Sequence, residues 1–137
     1  MPPISQLDQF LEDNSDIEMF EILLHDLNGT QRGKWLPKDK IQKVFNGGFK
    51  MPLSSCSLDC WGRDQEELIA ASGDTDGICL PHAETLARVP WAEKATAQMI
   101  ISMGNESGDG PYGGDCRSVL KSVVDRFGQL GLTPVIA

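Results

Sequence analysis

Apolar and polar positions alternate through residues 20–25: Phe20, Ile22 and Leu24 are set against Glu21, Leu23 and His25. A two-residue period is that of an extended strand. Asn28-Gly29 follows, the dipeptide suited to a two-residue hairpin turn because both central residues take positive φ. A return strand over residues 30–36 carries Arg32, Lys34 and Trp35 before Pro37 stops it. The pattern predicts an antiparallel hairpin. Upstream, Ile4, Leu7, Phe10 and Leu11 recur at helical spacing, predicting a short amphipathic helix over 4–14 with Ser5 as its N-cap. Downstream, Pro37 opens a second helix with Ile41, Val44 and Phe45 on one face, ended by Asn46-Gly47-Gly48.

Periodicity is lost over residues 49–77. Lys50-Met51-Pro52-Leu53 predicts a short edge strand, since Pro52 has no N–H to give a central ladder. Ser54-Ser55-Cys56-Ser57 and Leu58-Asp59-Cys60-Trp61-Gly62 show no clear period, and 63–75 is acidic and polar, the composition of a surface excursion. Ile78-Cys79-Leu80 reads as a brief buried strand stopped by Pro81. Residues 95–103 form the second strong strand, with Ala97, Met99, Ile101 and Met103 opposite Gln98 and Ser102. After a glycine-rich loop, Asp115 caps a helix whose stripe is Val119, Leu120, Val123, Val124, Phe127 and Leu130. Gly131 ends it, and 132–137 reads as a last strand whose apolar close, without a polar tail, is expected of a chain that continues. These elements predict an α+β domain.

Composition narrows the function classes. The 137 residues fit one domain, and a net charge of -8 with pI ≈ 4.6 argues against a nucleic-acid partner. Half of the 12 basic residues (Arg32, Lys34, Lys38, Lys40, Lys43, Lys50) nevertheless cluster where Asp39 is the only acid. That cluster is either a solvated face or a surface for an acidic partner, such as another copy of the chain. No apolar run is long enough for a membrane span and no signal peptide is evident. The four cysteines are too few and too irregular for a disulfide scaffold, so a reduced, cytoplasmic protein is expected.

Several constellations invite chemistry and fall short. Gly108-Asp109-Gly110-Pro111-Tyr112-Gly113 matches a dinucleotide fingerprint in letters, but Asp109 would face the pyrophosphate and Asp115 fills the helix cap where a phosphate docks. Cys56 and Cys60 with Cys79 or His82 lack zinc-knuckle spacing. The turn Asp74-Thr75-Asp76-Gly77 has Thr85 where a calcium loop needs Glu. His25 reads as a packed strand residue, and His82 has no identifiable partner. Spacing alone shows no nucleophile, base or metal set.

The hairpin wording Asp26-Leu27-Asn28-Gly29, then Arg32-Gly33-Lys34 and Leu36-Pro37, resembles the opening of the glutamine synthetase family. The likeness keeps its order along the chain. It runs through Met51-Pro52-Leu53-Ser54-Ser55 with Trp61-Gly62, then Gly73-Asp74-Thr75-Asp76-Gly77-Ile78. Thr85-Leu86, Val89-Pro90-Trp91, Asp115-Cys116-Arg117 and Gly131-Leu132-Thr133-Pro134 complete the set, so the resemblance covers about residues 17–137.

The resemblance implies a β-grasp fold, a small mixed sheet packed against helices, over 1–137 as a single amino-terminal domain. It implies an ATP-dependent glutamate–ammonia or glutamate–amine ligase in which ATP and Mg²⁺ (or Mn²⁺) belong to a larger carboxy-terminal catalytic domain. None would be bound by this fragment, which would be inactive alone. Subunits of such ligases form homo-oligomeric rings, and the amino-terminal domain lends its serine loop to the neighbouring active site; this chain by itself is expected to be a monomer or weak oligomer. On that basis Ser55 and Asp59 are the candidate catalytic residues, and Ser54 and Trp61 the candidate substrate-binding ones. With its docking surface missing, the loop over 54–75 is expected to be mobile. Where the family loop reads Asp-Gly-Ser-Ser, this chain has Pro52-Leu53-Ser54-Ser55, so the ammonium-binding aspartate is missing. Asp59 either replaces it or solvates the loop. Leu53 and Trp61 would suit an alkylamine better than ammonium, and SSCSLDCWG is closer to the γ-glutamylpolyamine branch. The rival reading is a free-standing β-grasp interaction module without catalytic activity.

Overall fold

The computed structural model describes residues 3–67, 69 and 73–135. Strand β1 (Met19–His25) lies near the middle of the sheet, with Phe20, Ile22 and Leu24 fully buried as the alternation requires. It pairs antiparallel with β2 (Gln31–Pro37), from Met19↔Pro37 to His25↔Gln31, and parallel with a later strand, Thr96–Met103, from Met19↔Thr96 to Leu23↔Ile100. Between these come β3 (Lys50–Pro52), β4 (Asp76–Pro81) and the two-residue β5 (Ala87–Arg88), which makes Thr96–Met103 β6. The six strands run in the order β2-β1-β6-β4-β3, with β5 pairing β6 beside its first half.

One face of this mixed sheet is closed by helices. Phe20, Ile22 and Leu24 of β1 and Ala97, Met99, Ile101 and Met103 of β6 form one core cluster with Leu7 of α1 (Pro3–Asp13) and Val44 of α2 (Gln42–Phe45). Phe10 of α1 tilts against Phe20, with ring centroids 6.5 Å apart. The result is an α+β, β-grasp architecture, as the sequence predicted.

Four local expectations are corrected. The first helix already includes Pro3, so Ser5 sits inside its first turns; a proline is tolerated there because those N–H groups have no intrahelical partner. The segment after Pro37 is a 3₁₀ turn (Lys38–Lys40) followed by a single turn of α-helix, α2. The hairpin turn has three residues. Asp26 N–H donates to Thr30 O (3.1 Å) and Gly29 N–H to Asp26 O (3.0 Å), with Gly29 alone in the left-handed region at φ 73°. The reason lies in the Asp26 side chain, whose Oδ1 accepts from the N–H groups of Asn28 and Thr30 at 2.9 Å each. It holds a type I turn closed by a left-handed glycine, so Asn28 needs no positive φ.

Helix α3 (Cys116–Gln129) is capped by Asp115 as predicted and has no buried residue. Its apolar stripe of Val119, Leu120, Val123, Val124, Phe127 and Leu130 is 40–76% exposed. The fourth correction follows it: residues 132–135 form no strand, and Ile136 and Ala137 lie outside the described residues.

Candidate functional site

The serine loop begins where β3 ends. Leu53–Cys56 forms a 3₁₀ turn whose Leu53 side chain is buried in the core, so Leu53 does not face the candidate site. Ser54 and Ser55 are half-buried on that turn, and neither hydroxyl is engaged by another described residue. Leu53 N–H donates to Thr75 O (3.0 Å), closing the base of the excursion. Its residues 68 and 70–72 lie outside the described residues.

The far part of the loop, residues 57–63, rests on the hairpin tip. Leu27 N–H donates to Cys56 O (3.1 Å) and Asn28 Nδ2 to Leu58 O (2.7 Å). The tip is rigid enough for this because Asp26 is buried and Arg32 Nε donates to its Oδ2 at 2.9 Å. Burial pushes the Asp26 pKa up, but the hydrogen bonds from Arg32, Thr30 and Asn28 outweigh it, and the carboxyl lies below its ordinary value. Cys116 Sγ–H donates to His25 O (3.1 Å), so the start of α3 meets the same tip.

Asp59 organises a tight turn of its own. Its Oδ1 accepts from Trp61 N–H and Arg63 N–H at 2.8 Å each, and its Oδ2 lies 3.3 Å from Arg63 Nε. The Arg63 N–H bond is the main cause of a pKa below the usual carboxylate value, so Asp59 is ionised at neutral pH. The carboxylate bonds within the turn and not to Ser54 or Ser55. Trp61 projects from it with 77% of its surface exposed. The loop thus offers two unengaged hydroxyls, an aromatic face and a fixed negative charge.

Other chemistry-bearing groups are accounted for elsewhere. Cys56 and Cys79 are buried, and burial pushes each thiol up to about 12. Among the described residues no three His, Cys, Asp or Glu side chains gather as a metal-ligating group. The glycine-rich loop closes on itself, with Asn105 Nδ2 donating to Asp109 Oδ1 (2.7 Å) and Gly108 N–H to Asn105 Oδ1 (2.8 Å). Asp115 fills the amino end of α3 by accepting from Ser118 N–H at 2.8 Å. Sequence reasoning missed the partners of His82: Nε2 lies 2.7 Å from Ser102 Oγ and Nδ1 3.2 Å from Glu84 Oε1. Strand alternation did place Ser102 opposite the core face of β6, but nothing local could bring His82 to it. Ser102 is buried in the central strand, so this chain of bonds ties the segment after β4 to β6.

The fold is a mixed β-grasp sheet with a serine-containing loop seated on its first hairpin. Comparison with known proteins points to the glutamine synthetase-type ligases. The chain is 31% identical over 134 residues to gamma-glutamylputrescine synthetase PuuA of Escherichia coli, a match covering 96% of this chain and 28% of that protein. It is 27% identical over 116 residues to the glutamine synthetase of Pyrococcus abyssi, covering 85% of this chain and 23% of the relative. Among solved structures, a GmaS/ADP complex superimposes with a TM-score of 0.68 at 25% identity, over 90% of this chain and 26% of that one. Ligand-free GmaS gives 0.69 at the same identity and coverage. No model of a known protein family matches. The chain is a homologue of the glutamine synthetase-type ligases and spans about a quarter of their length.

Proposed function

We propose that this chain is the amino-terminal domain of an ATP-dependent glutamate–amine ligase and presents residues 54–61 to a neighbouring subunit's active site. The observation that carries the reading is the 31% identity to a gamma-glutamylputrescine synthetase along 96% of the chain. The bare apolar stripe of α3 supports it, because such a face in a soluble protein marks a surface meant to be covered. Relatives about four times as long supply a candidate cover in the rest of the same polypeptide.

In this reading ATP, divalent metal and glutamate are held outside these residues. ATP transfers its γ-phosphoryl group to the glutamate side-chain carboxylate, the amine nitrogen attacks the acyl phosphate, and inorganic phosphate leaves as the amide forms. The loop's part is to receive the amine. Ser54 and Ser55 offer hydroxyls with free hydrogen-bonding capacity, Trp61 an apolar and π face for an alkylammonium, and Asp59 a carboxylate that favours the incoming cation while holding the turn. With Pro52 in place of a carboxylate and Trp61 exposed, the favoured nucleophile is an alkylamine rather than ammonium.

The test uses the full reading frame with ATP, Mg²⁺ and glutamate, measuring phosphate release on adding ammonium, then putrescine and other alkylamines. Release with alkylamines and not ammonium is expected. Release with ammonium alone restores plain glutamine synthesis. Silence with every amine moves the reading to a β-grasp interaction module.

A further inference from the structure

We infer that Asn28 is a positioning residue for the amine, acting through the pose of Trp61; the inference rests on the ligase reading above. Trp61 sits at the crest of the 59–63 turn, and both flanks of that turn are fixed by the hairpin tip. On the entry side Asn28 Nδ2 donates to Leu58 O at 2.7 Å. On the exit side the guanidinium of Arg32 lies beside Gly62, where an added Cβ would stand 3.3 Å from Nη1. Gly62 holds φ 78°, a conformation that glycine takes without strain. Within the turn, Asp59 holds the backbone of Trp61 and Arg63 and pairs with the Arg63 side chain, but makes no bond to the Trp61 ring. The placement of the turn as a whole therefore depends on the tip.

The two flanks differ in what they can reveal. Arg32 is paired to the buried Asp26, so its removal orphans a buried carboxylate and disturbs the hairpin itself. The Asn28 bond is exposed, so its loss loosens the far part of the loop, leaving the Leu27 N–H bond to Cys56 O as its remaining seat, while the core and the Asp26–Arg32 pair stay intact. One exposed hydrogen bond is worth about a fivefold to tenfold bias toward the docked loop. An aromatic face must lie within about 6 Å of a cation to attract it, so a shifted Trp61 loses amine affinity before anything else changes.

The experiment compares Asn28→Ala and Asn28→Gln with the parent in the full-length protein. Two readouts are taken: steady-state kinetics with a varied alkylamine or ATP, and exchange of the Leu27 amide, which donates to Cys56 O across the seat. Asn28→Ala is expected to raise KM for the amine about fivefold to tenfold while kcat and KM for ATP stay within about twofold. Exchange at the Leu27 amide should quicken by a similar factor, with β1 and β6 unchanged. Asn28→Gln, which keeps an amide donor, should return both readouts toward the parent. Unchanged exchange at Leu27, or KM for amine and ATP rising together, overturns the inference. A parent without amine-dependent turnover refutes the ligase reading instead, and the exchange comparison then decides the clamp alone.

Discussion

Asp115→Ala is the perturbation from which most can be learned, because one buried carboxylate joins the last helix to the central strand. Its Oδ2 accepts from Ser118 N–H (2.8 Å) and Ser118 Oγ (2.6 Å), and its Oδ1 accepts from Met103 N–H (3.2 Å). Losing the N-cap costs about 1 kcal/mol of helix stability. Leaving Met103 N–H unpaired in a buried strand adds about 1–3 kcal/mol. The two costs register in different places. Beyond Ser118 every residue of α3 is exposed, so no packing replaces the lost cap, and an isolated helix of 14 residues is marginal in water. In the 137-residue chain helix α3 should therefore open locally, and amide protection over 119–127 should fall to that of a free peptide. The Met103 cost belongs to β6 and should appear as a lower urea midpoint, equivalent to about 1–3 kcal/mol. Asp115→Asn keeps an acceptor for the cap and should lose less than half as much. Unaltered protection in α3 together with an unmoved midpoint for Asp115→Ala would refute the reasoning.

Three further outcomes follow from single features. In Gly33→Ala the new Cβ would lie 1.8 Å from the Ile22 carbonyl oxygen on the paired strand, so β1 and β2 must separate locally. A loss of about 2–3 kcal/mol by thermal or urea unfolding is expected, as for an overpacked core. A thiol with pKa about 12 is ionised in roughly one molecule in ten thousand at pH 8. Cys60, being exposed, should react first with a disulfide reagent, while Cys56 and Cys79 wait for unfolding; equal rates at all three would contradict their burial. Asp16 is held at about 2 by the bidentate bonds from Arg88, at 2.7 Å each. Since its folded value lies below the ordinary 3.8, its contribution is complete above about pH 4 and vanishes as pH falls toward 2. Nuclear magnetic resonance titration of Arg88→Ala should find the Asp16 carboxyl back near 3.8.

What the sequence disclosed and withheld divides along the range of the interactions. Alternation at Phe20, Ile22 and Leu24 and at Ala97, Met99 and Ile101 marked two strands, because a strand with one face in the core writes its period into the chain. Asp115 was legible as a cap because its partner Ser118 is three residues on. The hairpin turn was misread because the Asp26 side chain, rather than the Asn28-Gly29 backbone preference, sets its geometry. The stripe on α3 was correctly seen as apolar, yet a periodic pattern says only that a face wants cover and not whether these residues provide it. In the serine loop, the bonds that seat it join Asn28 to Leu58 and Leu27 to Cys56, separations at which no local rule operates. His82 and Ser102 met for the same reason.

The parallel pairing of β1 with β6 has a consequence for how the chain is made. Met19 cannot find its partner until Thr96 has been synthesised. The β1–β2 hairpin can close early, with α1 already available to the apolar row Phe20, Ile22 and Leu24, but the other edge of β1 stays unpaired until Ile100 has left the ribosome. At about 5–20 residues per second that wait is roughly 3–13 s. During it the hairpin carries an open strand edge, a template for pairing with another nascent chain. An insertion in the loop between β3 and β4 would add little to the closure entropy of the finished sheet but would lengthen the wait residue by residue.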